Sequence, residues 1–327
     1  RASAEKYEKI WTEEGSPLIA ITASLERGLN EHYAEQGLPV VVRAGMSYGK
    51  PSLKQAVREL KEEGCTELVV LPMYPQSAFS TTGSVSDGVA KAVRRARFKG
   101  DVRLIDGYGE DATYVRAVAA SIRNAGFSEE SGDRLLFSFH SIPLKDIEAG
   151  DTYELQTGAT SLAVAGELGL DRRAWTISYQ SRFDKGRTWL SPFTRPTLER
   201  LAQAAEPGSR LFMVCPNFSV DCLETLYDVP YELEPLYRAV LAGQKVNADE
   251  EPGALENTGK AASHCDDAHA DLAAARRRRR AVEDFHRGAH RQRSDEEAFV
   301  YVPCLNRSKA HLKVLTAVLA PYVGDTE

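Results

Sequence analysis

A chain of 327 residues, 43% hydrophobic and 27% charged, is long enough for two modest domains with their own cores, and a formal charge of -6 gives no overall field to attract nucleic acid or an anionic membrane. Its cysteines, Cys65, Cys215, Cys222, Cys265 and Cys304, form no C-x-x-C pair and no closely spaced framework, which excludes a disulfide scaffold and predicts reduced thiols. No apolar stretch approaches the roughly 20 residues that span a bilayer, and no leader pattern opens the chain, so a cytoplasmic protein is expected.

From Arg1 the opening RASAEKYEKIW reads directly as helix. Apolar runs of strand length then recur at Val40–Ala44, Leu68–Met73, Val102–Ile105, Leu135–Phe139, Trp175–Tyr179, Leu211–Val214 and Phe299–Val302, with helical segments between them. This alternation predicts an α/β protein whose parallel sheets are covered by helices. Between the first two runs, SLKQAVRELKEEG sets Leu53, Val57 and Leu60 at helical spacing and stops at Gly64, the pattern of a crossover helix. The polar stretch GFSEESGDR then divides the chain into two similar halves. Domains are expected over 1–127 and 128–305, with a terminal helix at 306–323 that packs back on the first.

The run Leu135–Phe139 leads into His140, and Pro143 forbids its continuation as a regular ladder. His140 is therefore expected at the carboxyl end of a strand, the edge at which open parallel sheets bind ligands. Downstream, Leu211–Val214 ends in Cys215 and Pro216, and a loop leads into a segment carrying Asp221, Glu224 and Asp228. A histidine and a carboxylate at two strand ends then share one cleft. Asp221 reads as a helix N-cap. Glu224, Asp228 and Glu232 follow at helical spacing and line one face, while Pro230 predicts a kink or a wide turn.

Residues 243–297 depart from the pattern, being rich in Ala, Asp, Glu, Arg and His, and read as an inserted, charge-mixed arm with a helix over 271–285. Arg276–Arg280 alone would suggest nucleic-acid contact, but Asp266, Asp267, Glu283 and Asp284 lie close by. His264, His269, His286 and His290, with Cys265, fit no closed structural zinc spacing.

Several segments together resemble the ferrochelatase family: YEKIWTEEGSPL at 7–18, MSYGKPS at 46–52, LPMYPQSAFSTTGS at 71–84, FSFHSIP at 137–143, GDTYELQ at 150–156, SYQSRF and WLSPFT within 178–194, CPNFSVDCLETLYD at 215–228 and YVPCLN at 301–306. The resemblance implies two Rossmann-like domains, each a four-stranded parallel sheet flanked by helices, with a porphyrin cleft between them. In the family a strand and an N-L-G-T-P loop precede the Y-x-x-I-W helix, so the first sheet is expected here without that strand. The implied activity is insertion of Fe(II) into a porphyrin in haem biosynthesis. His140 matches the family's histidine facing the ring centre, as proton acceptor or metal donor; Glu224 matches its active-site glutamate on the opposing wall, one strand tip coming from each lobe. Asp228 and Glu232 are candidates for a metal path.

By the same resemblance, Tyr74, Gln76, Ser80, Thr81 and Thr82 lie in the loop that holds the porphyrin edge, and Tyr48 in the pocket. Ser47 stands where the family frequently has arginine, a loss of bidentate grip on a propionate that leaves coproporphyrin III and protoporphyrin IX both open. Iron is the substrate and no cofactor is required. No 2Fe-2S cluster is expected, because Cys304 sits in the ordinary C-L-N position and Cys215 with Cys222 supplies two thiols where four are needed. A monomer without nucleic-acid partner or transmembrane segment is expected, with peripheral membrane contact left open. The alternatives are a chelatase for another tetrapyrrole and metal, and a non-catalytic porphyrin or haem carrier.

Overall fold

The computed structural model describes residues 2–182, 186–246 and 298–323. The five-arginine run, the histidine-rich stretch and the helix expected over 271–285 lie outside these residues. The amino-terminal half begins with α1 (Ala2–Ile10) and α2 (Pro17–Glu35), followed by the crossover helix α3 (Leu53–Glu62), capped by the Ser52 hydroxyl on the Gln55 amide. It continues through β1 (Glu67–Val70), α4 (Ser84–Ala96), β2 (Asp101–Leu104) and α5 (Ala112–Asn124). The second half contains β3 (Arg134–His140), α6 (Leu144–Glu148), α7 (Tyr153–Leu168), β4 (Trp175–Gln180), α8 (Thr194–Gln203), β5 (Leu211–Val214), a π-helix over Glu224–Leu233, α9 (Glu234–Leu241), β6 (Phe299–Val302) and α10 (Lys309–Leu319).

The two sheets are unequal. β3 to β6 form a four-stranded parallel sheet in the order β4-β3-β5-β6, whereas β1 pairs with β2 alone. Residues Leu135, Leu136 and Phe137 of β3 and Leu211, Phe212 and Met213 of β5 are at most 1% exposed. These near-continuous apolar runs suit strands covered on both faces by helices.

Three of the expected strands differ in detail. Val40–Ala44 joins no ladder. Its backbone groups are taken by side chains instead: Asn30 on α2 accepts from the Val42 amide at 2.9 Å and donates to the Val42 carbonyl at 3.0 Å, and Glu26 accepts from the Ala44 amide at 2.9 Å. The first sheet thus has one strand fewer than its apolar runs predict. β1 stops at Val70, short of Pro72, which has no N–H to offer a ladder. β2 is shorter by Ile105, although the Ile105 amide still donates to the Val70 carbonyl at 2.9 Å.

A continuous apolar core nonetheless joins the halves, from Leu25 and Leu29 of α2 through Val118 and Ile122 of α5 to Phe137 and Phe139 of β3 and Leu315 of α10. Helix α10 packs against α5 and α2. Further bonds cross between the halves: Gln76 donates to Thr160 Oγ1 at 2.9 Å, the Ser77 amide to Gln156 at 2.8 Å, and the Phe79 amide to Asp151 at 2.7 Å. No helix among the described residues is long and apolar enough to cross a membrane.

Candidate active site

The order β4-β3-β5-β6 reverses direction between β3 and β5. At such a switch point the loops leaving neighbouring strands diverge and open a crevice at their carboxyl ends. His140 ends β3, and the loop after β5 delivers Glu224 at the start of the π-helix. Both line one cavity of about 1500 Å³. Contrary to the expectation of one strand tip from each lobe, both residues come from the second sheet, from strands that pair directly. The first half supplies the facing wall, through Tyr48, Tyr74, Ser80 and Thr81.

His140 is held by its surroundings. Its carbonyl accepts from the Tyr153 hydroxyl at 3.0 Å, and the next amide, that of Ser141, donates to Gln180 at 2.8 Å. The ring Nδ1 lies 2.7 Å from the Ser141 carbonyl. A carbonyl only accepts, so Nδ1 carries the proton and Nε2 bears the lone pair of the neutral ring. Burial lowers the pKa of His140, and the Glu224 charge and the bond to Ser141 oppose that shift without reversing it. At neutral pH the imidazole is therefore unprotonated and able to accept a proton.

Glu224 is half-buried. The Cys222 thiol lies beside it, with its pKa pushed well up by burial and then by the Glu224 charge, so it stays protonated. Tyr74 and Tyr7 are both raised, first by burial and then by the neighbouring Glu224 charge. These phenols remain neutral hydroxyls on the cavity wall, fit to donate to an anionic substituent.

The predicted binding residues separate into three groups. Tyr48, 90% exposed, stands at the mouth, while Tyr74, Ser80 and Thr81 face the cavity. Gln76 borders the same cavity but is 1% exposed, its amide spent on Thr160, so it fixes the loop between the halves. Thr82 is buried and turns toward the Asp106 carbonyl, beside a separate pocket of about 300 Å³. Asp228 and Glu232 are set back from the cavity lining and share the Lys6 ammonium at 3.3 and 2.8 Å. Burial and the charge of Glu232 push the Asp228 carboxyl up to about 6, against the pull of Lys6.

Asp221 is not an N-cap. Its carboxylate is 2% exposed and accepts from the Tyr301 hydroxyl at 2.8 Å, the Asn306 amide at 2.6 Å and the Cys304 backbone at 3.4 Å. It ties the loop before Glu224 to the segment after β6. The Pro230 segment forms a π-helix, a wide turn of the kind its proline predicts. Lys6, Cys222 and Tyr153 were not legible as site neighbours, because no local pattern relates Lys6 to carboxylates 222 and 226 positions away.

A family model described as Ferrochelatase matches residues 1–247. The chain is 39% identical over 245 residues to a ferrochelatase of Thioalkalivibrio sulfidiphilus, covering 75% of this chain and 66% of that protein. It is 39% identical over 236 residues to a ferrochelatase of Aeromonas hydrophila, covering 72% of each. The chain thus spans about two thirds of the length of these relatives. Among solved structures, SirB from Bacillus subtilis with Fe3+ superposes with a TM-score of 0.51 at 11% identity over 94% of this chain and 91% of that one, a likeness of fold. With three quarters of its length aligned at this identity, the chain belongs to the ferrochelatase family.

Proposed function

We propose that this chain inserts ferrous iron into a porphyrin carrying two or four propionates, protoporphyrin IX or coproporphyrin III, as a step of haem biosynthesis. The observation that carries the reading is the pairing of His140 and Glu224 on one porphyrin-sized cavity at the switch point of the second sheet. Metalation exchanges two pyrrole N–H protons for one divalent ion. Porphyrin and Fe(II) give metalloporphyrin and two protons, a balance that calls for no redox step and no cofactor.

His140 Nε2, with its lone pair available in the neutral ring, accepts a pyrrole proton or passes the metal, since imidazole suits both protons and ferrous iron. Glu224 takes the second proton or ligates the entering ion. Asp228 and Glu232 continue the carboxylate line outward. The facing hydroxyls of Tyr48, Tyr74, Ser80 and Thr81 hold propionates by hydrogen bonds, in place of the guanidinium absent at Ser47. The reading includes a monomeric protein of the cytoplasm, in keeping with its cysteine pattern.

The test is a fluorescence assay of zinc and iron insertion into coproporphyrin and protoporphyrin. His140→Ala is expected to slow insertion at least 100-fold, the scale of a lost acid–base group, while porphyrin affinity changes only a few-fold. Glu224→Gln is expected to slow it comparably. Equal insertion rates for wild type and His140→Ala would overturn the assignment, and porphyrin uptake without metalation by wild type would favour a carrier.

A further inference from the structure

The segment after β1, which brings Tyr74, Ser80 and Thr81 to the cavity, belongs to the first half, yet side chains of the second half hold its backbone. Gln156 of α7 accepts from the Ser77 amide at 2.8 Å and donates to the Ser77 carbonyl at 3.4 Å. One side-chain amide thus meets both polar groups of one residue, as an antiparallel strand partner would. Asp151 accepts from the Phe79 amide at 2.7 Å and from the Tyr153 amide, at the start of α7, at 2.9 Å. A single carboxylate ties the loop to the helix.

This seam has no slack. Gly109, in the loop after β2, lies so close that a Cβ there would stand 2.6 Å from Gln76 Nε2 and 2.5 Å from Thr160 Oγ1. The Tyr108 and Gly109 amides hold the Pro75 carbonyl at 2.8 and 2.7 Å. Asp151 is 6% exposed, so little water competes for its bonds, and bonds to an ionised carboxylate are among the strong ones. The same turn of α7 also reaches the opposite wall. There the Tyr153 hydroxyl donates to the His140 carbonyl at 3.0 Å, and the residue is buried. Residues 151–156 therefore hold His140 on one side and the loop of hydroxyls on the other, while Asp151 and Gln156 themselves stand behind the cavity lining.

We propose that Asp151, Tyr153 and Gln156 are positioning residues that make this segment a spacer. It fixes the distance between His140 and the hydroxyls of Ser80 and Thr81, and so centres a macrocycle held by its propionates over the imidazole. The inference rests on the porphyrin reading above and names what registers the substrate in that site. A displacement of about 1 Å is enough to matter, because a proton acceptor works only within hydrogen-bond reach. The spacer has two arms, and each governs a different step: the loop arm sets porphyrin binding, and the Tyr153 arm sets the chemistry at His140.

The test uses the full chain, with metal-free protoporphyrin binding followed by fluorescence and zinc insertion measured separately. Asp151→Asn leaves one acceptor oxygen for two amides. It is expected to weaken protoporphyrin binding about tenfold, the scale of one lost bond to a charged group, with the KM for zinc unchanged. Gln156→Ala, at a half-buried position, should weaken binding about threefold and carries the test if the Asp151 variant does not fold. In a Ser80→Ala background the Asp151→Asn loss should shrink to about threefold, because the hydroxyl it places is gone. Tyr153→Phe acts on the other arm: kcat for zinc insertion should fall about fivefold, with protoporphyrin affinity within about twofold of wild type, as for one neutral hydrogen bond. A general loosening would instead cut kcat in all of these variants at unchanged affinity, and that result overturns the spacer. Equal Asp151→Asn losses with and without Ser80 overturn it as well. A wild type that binds no protoporphyrin sinks the porphyrin reading and the spacer together, whereas wild-type binding beside unaltered affinity in both loop-arm variants sinks the spacer alone.

Discussion

His311 is fully buried, with Nδ1 donating to the Asn306 carbonyl at 2.5 Å and Nε2 without a hydrogen-bond partner among the described residues. Burial pushes its pKa down to about 4, against the bond to Asn306. The unfolded ring titrates near 6.5, so between these values the unfolded chain binds more protons. Stability from this residue is present above pH 6.5 and is lost as the pH falls toward 4. Asp228 runs the other way: its native carboxyl titrates near 6 against 3.8 unfolded, so its contribution falls as the pH rises through that window. The two slopes oppose each other in wild type. Replacing His311 by Leu removes one of them, so the stability of His311→Leu relative to wild type should rise by about 2 kcal/mol between pH 7 and pH 5. Urea titrations at the two pH values measure this, and a difference that does not change with pH would remove His311 as the acid-sensitive group. His140 was readable in the sequence because an apolar run, a histidine and a nearby proline are local signals. His311 offered no such signal, since its burial depends on helices far apart in the chain.

At the scale of elements, pairing decided what periodicity left open. Val40–Ala44 has strand composition, but Asn30 and Glu26 on α2 satisfy its backbone before any strand does. Strand propensity describes fit to a pleated neighbour and is silent on whether that neighbour exists. Asp221 shows the same limit: read alone it is a cap, yet its acceptors are filled from Tyr301 and Asn306, 80 and 85 positions downstream. Asn306 also accepts from the Asp221 amide at 2.8 Å. This buried cluster sets where the π-helix begins, and hence where Glu224 points. Asp221→Ala leaves a phenol and an amide without their acceptor, and should cost about 3 kcal/mol of stability by urea unfolding. A loss below about 0.5 kcal/mol, within the range of an ordinary surface change, would show that water replaces the carboxylate and that the cluster does not fix the turn.

For the whole molecule, alternating strands and helices made the α/β class legible, the motifs located the cleft, and the family resemblance anticipated a first sheet short of one strand, but the further inequality of the halves, the loss of Val40–Ala44 from that sheet, was not visible. That inequality arises from ladders, and ladder partners leave no trace in the spacing of apolar residues. The second sheet has four paired strands and a core in which β3 and β5 are almost completely covered. The first has two strands, β2 is exposed along its length, and the cluster beneath α3 and α4 reduces to Val57, Leu68, Ala92 and Phe98. Protection from amide exchange follows the local free energy of opening, which scales with buried apolar contact around each ladder. Amides of β1 and β2 should therefore exchange about 100-fold faster than those of β3 and β5, a gap of roughly 3 kcal/mol in opening free energy. The cleft spans this boundary: His140 and Glu224 stand on the stable side, while Tyr74, Ser80 and Thr81 stand on the yielding one. Bonds from Gln76, Ser77 and Phe79 to α7 and its approach steady that wall, so the loop over 76–79 should exchange more slowly than β2 despite carrying no strand. Exchange mass spectrometry resolves all three regions, and equal protection in both sheets would mean that the molecule opens only as a single cooperative unit.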